Sequence, residues 1–217
     1  MAADRWVFDR DTVEFGRAIN LIDAIFGFTL TLLVTNLQVP PANAWVSVKA
    51  LLSTGLGDQL LSFLISFVVV VGFWVTNHQA LGSFRALDSP TVRICLYLVC
   101  LVIFVPFTTK AISDKITSPD QANLPLPTAL YAANIAAIVL ATVALILVGR
   151  ARGLAGPELP VPGMIAHSLA VAIVFLLSIP IAYRFGPDVA RRTWFSLLVV
   201  SPAVSFLARR RRISRPA

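Results

Sequence analysis

The chain has little charge: Asp, Glu, Lys and Arg make up 13% of its 217 residues, against about 25% in a soluble domain. Cysteine and histidine are scarce, at two each. Cys95 and Cys100 lie inside one apolar run and read as buried small thiols; a zinc site would need more ligands nearby. The sequence has no His-Glu-x-x-His, no Walker loop and no Gly-x-Ser-x-Gly, so nothing in it argues for an enzyme or for a bound cofactor. No stretch carries the regularly spaced arginines of a voltage sensor, and the Thr-Val-Gly-Tyr-Gly loop of an ordinary potassium filter is missing. The first 17 residues are mixed in charge without an apolar core. No cleavable signal peptide is expected, and targeting is expected to rest on the first membrane helix.

What the sequence has in abundance is apolar residues, 57% of the total, gathered in long runs. A bilayer core takes about 20 mostly apolar residues at about 1.5 Å each. Six stretches qualify, predicting an all-α membrane protein with one six-helix domain over residues 1–217. The spans run roughly over 18–39, 59–81, 92–112, 128–148, 162–183 and 193–208. Pro40-Pro41, Ser89-Pro90, Leu124-Pro-Leu-Pro127 and the stretch from Gly153 to Pro162 punctuate them. Ala44–Leu52 is expected to form a short interfacial helix.

The net charge of +7 is no sign of nucleic acid, because the basic residues fall between apolar runs, as membrane topology requires. With both termini in the cytoplasm, twelve of the 18 lysines and arginines lie inside, which favours that orientation. The Arg209–Arg212 run is expected to anchor the last helix to anionic lipid.

Polar residues inside the spans are the informative exceptions. A charge at the depth of Asp23 is costly without a partner. The second span runs back and carries Trp74, Thr76, Asn77 and His78 at the depth of Arg17 and Asp23. Trp74 and His78 are four apart and share a face. The expected cluster of Arg17, Asp23, Trp74, Asn77 and His78 has two readings: a lock holding the first helix, or a proton relay or ion site. On the first helix Asn20, Ala24, Phe28, Thr31 and Thr35 fall within about 40° of one direction, with Asp23 about 100° from it. Such a stripe, repeated around an axis, gives alternating apolar and hydroxyl layers. The other reading is that the hydroxyls of Thr31 and Thr35 bond back to helix carbonyls. His167, alone in the fifth span, reads as a satisfied core residue.

The chain resembles, in its first half, prokaryotic members of the lysosomal potassium-channel family, transmembrane protein 175. The family's Arg-x-x-x-Phe-Ser-Asp opening appears as Arg17-Ala-Ile-Asn-Leu21-Ile22-Asp23, followed by Thr31-Leu32-Leu33 and Val39-Pro40. Its Trp followed by Asn-His-His appears as Trp74-Val-Thr76-Asn77-His78, and Asp88 and Pro106-Phe107-Thr108 also match. The departures are Leu21 and Ile22 for Phe and Ser, and Thr76 and Asn77 for Asn and the first His. They thin the polar network beside the pore.

The resemblance implies a homotetramer whose first helix lines the central pore. Phe28, with Leu32 beside it, takes the place of the family's apolar constriction, and Thr31 and Thr35 mark the potassium path. It implies a potassium-preferring, modestly selective cation channel of the bacterial inner membrane. The rival is a proton-coupled secondary transporter using Asp23 and His78. Matched Gly/Pro-interrupted helices in both halves would support that rival, and none is evident.

Overall fold

The computed structural model describes residues 6–113, 124–156 and 161–197. Among these, five helical segments are long and apolar enough to cross a membrane. α1 spans Val13–Val34, α3 Gly57–Gly82, α6 Pro125–Ala151 and α7 Val161–Phe185. The remaining crossing is made of α4 (Ser89–Ile103) and α5 (Val105–Ser113) in series. The expected span over 193–208 and the Arg209–Arg212 run lie almost wholly outside the described residues. What precedes them is α8, a short helix over Pro187–Trp194.

Two boundaries differ from the sequence expectation. α1 starts five residues earlier and ends five earlier than 18–39. Its start is set by Thr12, whose hydroxyl accepts from the Phe15 N–H at 3.3 Å, meeting one of the donors a helix leaves open. It ends before Pro40, tightening through i to i−3 bonds at Thr35, Asn36 and Leu37, while the Asn36 amide donates to the Pro106 carbonyl at 2.8 Å. The third crossing, expected to be continuous, breaks at Phe104. Pro106 has no N–H to give Val102 and its ring crowds that carbonyl, so the helix restarts. Between α1 and α3 the chain forms a 3-10 turn at Ala42–Val46, the four-residue α2 (Val48–Leu51) and a wider turn at Leu52–Leu56.

α6 is the hub. It packs against α3, α4, α5, α7 and α8 and buries Tyr131, Ile135, Ile138 and Leu145 completely. Tyr131, Phe175 and Trp194 form an aromatic trio with centroid separations of 5.0 to 6.2 Å, fastening α8 and α7 onto α6. The Tyr131 hydroxyl lies 3.1 Å from the Ser66 oxygen, itself 2.8 Å from Thr109. This buried chain links α6, α3 and α5. In lipid, apolar side chains gain little by leaving the solvent, so close packing and such polar links carry helix association. α3 is built accordingly. Gln59, Ser62, Ser66 and Asn77 point inward, and Leu60, Leu61, Leu64, Phe67 and Val68 point outward.

One end of the bundle is clasped by structure the all-α expectation missed. β1 (Val7–Asp9) pairs antiparallel with β2 (Ala86–Asp88). The Arg10 guanidinium donates to the Gly82 and Phe84 carbonyls at 2.6 and 3.1 Å. Arg85 N–H donates to Leu154 O at 2.7 Å, and Gly156 N–H to Ser83 O at 2.8 Å, tying the α3–β2 turn to the end of α6. The fully buried ring of Phe84 lies on α6 at Gly149, where any Cβ would overlap the ring. Gly149→Ala is therefore expected to lower stability by about 1–3 kcal/mol, the cost of overpacking a filled core. Adding Phe84→Leu should recover part of that loss. Thermal unfolding in detergent of the two variants and the parent checks this; an unchanged midpoint for Gly149→Ala would contradict it.

Candidate functional site

α1 has two faces. Phe15, Ile22, Phe26, Thr29 and Leu33 are buried against the bundle. At about 100° per residue their mean direction lies about 170° from that of Asn20, Ala24, Phe28, Thr31 and Thr35. The stripe is thus opposite the core, and all five of its residues are exposed, Phe28 at 68%. Leu32, also exposed, projects about 80° from the stripe's centre and so borders it. The Thr31 hydroxyl donates to Phe28 O at 2.8 Å and that of Thr35 to Leu32 O at 2.7 Å, so the back-bonded reading holds for both donors. It does not remove them from the chemistry of a path: a hydroxyl that has spent its proton on a carbonyl presents only lone pairs outward.

Asp23 lies on the flank between the two faces. One carboxylate oxygen accepts from the Trp74 indole N–H at 3.0 Å, and the other is 3.4 Å from His78 Nδ1. The Trp74 and His78 rings are 5.4 Å apart between centroids. The structure thus brings together three of the five expected members. Arg17 is exposed and makes no contact with the trio; it points along the stripe. Asn77 is buried on the inner face of α3, with both amide atoms lacking a hydrogen-bond partner. A single helical step carries it about 100° from His78. Thr76 bonds back to Gly72 O at 2.9 Å. Ile22, where the family motif has Ser, is packed in the core.

Two smaller expectations are also corrected. Cys95 is buried but Cys100 is exposed, because the two are five residues apart and fall on different faces of α4. His167 is not a satisfied core residue, since its Nδ1 is sealed from solvent without a partner.

A second polar centre was only half visible in the sequence. Asp88 caps α4, accepting from Thr91 N–H at 3.1 Å and from its hydroxyl at 2.9 Å, and pairs with Arg152 beyond the end of α6. Burial pushes the Asp88 carboxyl up, but the Thr91 bonds and the Arg152 guanidinium outweigh it and hold the group below its ordinary value. The capping pattern Asp88-Ser-Pro-Thr91 is a readable signal; the partner 64 residues away is not. Among the described residues no group of three or more His, Cys, Asp or Glu side chains is placed to hold a metal ion.

Residues 17–106 match the family model described as endosomal/lysosomal potassium channel TMEM175. That segment holds the stripe, Asp23, Trp74 and His78. Over this segment, 90 of the 217 residues, the chain is similar to the TMEM175 family. A potassium channel of Chamaesiphon minutus is 30% identical over 108 residues, 49% of this chain and 53% of the relative. One of Streptomyces collinus is 25% identical over 136 residues, 61% of this chain and 63% of the relative. The alignments thus span between half and two-thirds of those relatives' lengths. The crystal structure of a lysosomal potassium-selective channel TMEM175 homolog from Chamaesiphon minutus superposes with a TM-score of 0.71 at 21% identity, covering 91% of this chain and 99% of that one. At that identity the likeness establishes the fold, which therefore extends past the segment matched in sequence. With five long apolar helical segments and this fold, the chain is a multi-pass membrane protein.

The Asp23 bracket should be worth more through its indole bond than through its contact with His78. Hydrogen bonds to a charged acceptor contribute about 1.5–3 kcal/mol. The pair itself is half in solvent, with His78 55% and Asp23 29% exposed, and is discounted to about 1 kcal/mol or less. Trp74→Phe is therefore expected to lower the thermal midpoint in detergent more than His78→Gln. The reverse order would show that the histidine, not the indole, holds α1.

Proposed function

We propose that the chain is one subunit of a homotetrameric, potassium-preferring cation channel, with α1 of each subunit lining a central path. One observation carries this: the most polar face of α1 is the one turned away from the bundle. Arg17, Asn20, Thr31 and Thr35 are all on it and all exposed. The outward face of α3 is apolar by contrast, with Leu60, Leu61, Leu64, Phe67 and Val68 exposed. Polar side chains facing hydrocarbon are costly and normally turn toward protein or a water-filled cavity. The match to TMEM175 over the segment that contains the stripe supports the same reading.

In this reading Phe28, with Leu32 at its side, forms an apolar neck that sheds water and closes the path to hydrated cations. One turn on, Thr31 and then Thr35 offer oxygens whose protons are already committed to α1 carbonyls. They can replace part of a potassium ion's hydration shell without presenting a donor to the cation. Gly16 and Gly27, each with open space where a side chain would be, let neighbouring α1 copies approach closely. The clasped end, with Arg10, Arg85, Arg150 and Arg152, is the cytoplasmic one by the excess of basic residues. The membrane is the bacterial inner membrane, and Arg209–Arg212, outside the described residues, meets anionic lipid.

Phe28→Ala is expected to wet the neck and raise resting cation current severalfold. Thr31→Val keeps the shape but removes the oxygen, and should move the potassium-to-sodium permeability ratio toward unity with a smaller change in total current. The two layers are about one turn apart, so the effects should separate. Currents and reversal potentials in planar bilayers under mixed potassium and sodium test both. If neither variant differs from the parent, the path does not run along this face. Flux in liposomes that saturates at carrier-like rates would favour coupled transport instead.

A further inference from the structure

The α1–α3 connector carries an apolar surface that the channel reading does not use. Val39, Val46 and Val48 are 85%, 81% and 73% exposed, and Trp45 and Leu52 are also largely uncovered. Between Gln38 and Asp58 the sequence has no acidic residue and a single charge, Lys49. The connector is held at the surface of the bundle end opposite the clasp. Gln38 N–H donates to the Gln59 side chain at 2.9 Å, joining its two ends at the start of α3. Ala44 is buried beneath it.

Geometry explains why this stretch cannot simply extend α3. Val48–Gly82 is a continuous apolar segment of 35 residues. A straight helix of that length would be about 52 Å, against a hydrocarbon core of about 30 Å. The excess is turned aside at Gly55, whose φ of +84° is a left-handed conformation that glycine adopts without a Cβ clash. Val48–Leu51 therefore leaves the axis of α3, carrying Lys49 among three apolar residues. A segment with exposed Val, Leu and Trp, one lysine and no acid has the chemistry of the boundary between headgroups and acyl chains. The indole N–H of Trp45 is already bonded to Pro40 O at 3.1 Å, so its ring can enter that boundary without stranding a donor.

We propose that residues 39–56 form an interfacial anchor that lies in the leaflet at this end, with the three valines and Trp45 among the acyl chains and Lys49 at lipid phosphate. The alternatives are a cap standing in water and a seat for a neighbouring copy of the chain. The assignment rests on the membrane fold and holds whether or not the protein conducts.

Nitroxide labels at Val46→Cys and Val48→Cys, with Cys95 and Cys100 replaced by Ala, would decide it in liposomes of phosphatidylethanolamine and phosphatidylglycerol. Collision with oxygen and with a water-soluble nickel chelate is read for each label. A third label at Leu64→Cys, on the outward face of α3, reports that the protein is inserted. Both connector labels are expected to meet oxygen several-fold more than nickel, at a depth within about 10 Å of the headgroups. Strong nickel collision at 46 and 48, with Leu64 still reading lipid, would overturn the anchor in favour of an aqueous cap. Low access to both reagents would overturn it in favour of a contact between copies.

Discussion

The carboxylate of Asp23, held between the Trp74 indole and the His78 ring, fixes the rotation of α1 about its own axis, and most of the functional reading depends on that rotation. A helix in lipid has little hydrophobic reason to prefer one azimuth, since its apolar side chains are equally at ease against protein and acyl chains. A charged group on its flank changes this, because it must stay with its partners. With Asp23 anchored to α3, Ile22 and Phe26 fall into the core and Asn20, Phe28 and Thr31 fall on the opposite side. A turn of the helix by one residue would bury Arg17 or strand Asp23. That geometry supports reading the bracket as a lock, with His78 half exposed.

The rest of the bundle supplies a frame against which that lock can act. α6 packs against five neighbouring helices, and the Tyr131–Ser66–Thr109 chain ties α3 to it. At the clasped end, Phe84 on Gly149, the β1–β2 ribbon and the Asp88–Arg152 pair hold the α3–α4 connection to the end of α6. α3 is thereby fixed at several depths, so the residues that grip Asp23 do not drift. The frame and the Asp23 bracket are separate devices: one uses the inner face of α3, the other its edge, where Trp74 and His78 stand.

Much of this was legible in the sequence, and what was not has physical causes. The crossings follow from run length, because hydrocarbon admits little else. The bounds of α1 were five residues off at each end because they are set by Thr12 and by the Asn36–Pro106 bond, which run length does not register. The β1–β2 ribbon was missed because three-residue strands some 80 positions apart carry no local pattern. Trp74 and His78 are four apart and so share a face of α3, from which both reach Asp23. Asn77 adjoins His78 in the motif but not in space, because one helical step turns it about 100° away and into the core. Arg17 shares the depth of the cluster but not its azimuth, which falls on the stripe.

The central claim is that the uncovered face of α1 borders water enclosed by other copies of the chain, and is not a lipid face. The most direct test places a cysteine at Thr31 in a chain without Cys95 and Cys100, and applies a water-soluble cationic thiosulfonate while current is recorded. A cysteine at Leu64, on the outward face of α3, serves as the lipid control. The account predicts that Thr31→Cys reacts and that its current falls as it does so, while Leu64→Cys remains unmodified. A Thr31→Cys protein that conducts, yet reacts no more than Leu64→Cys, would contradict it.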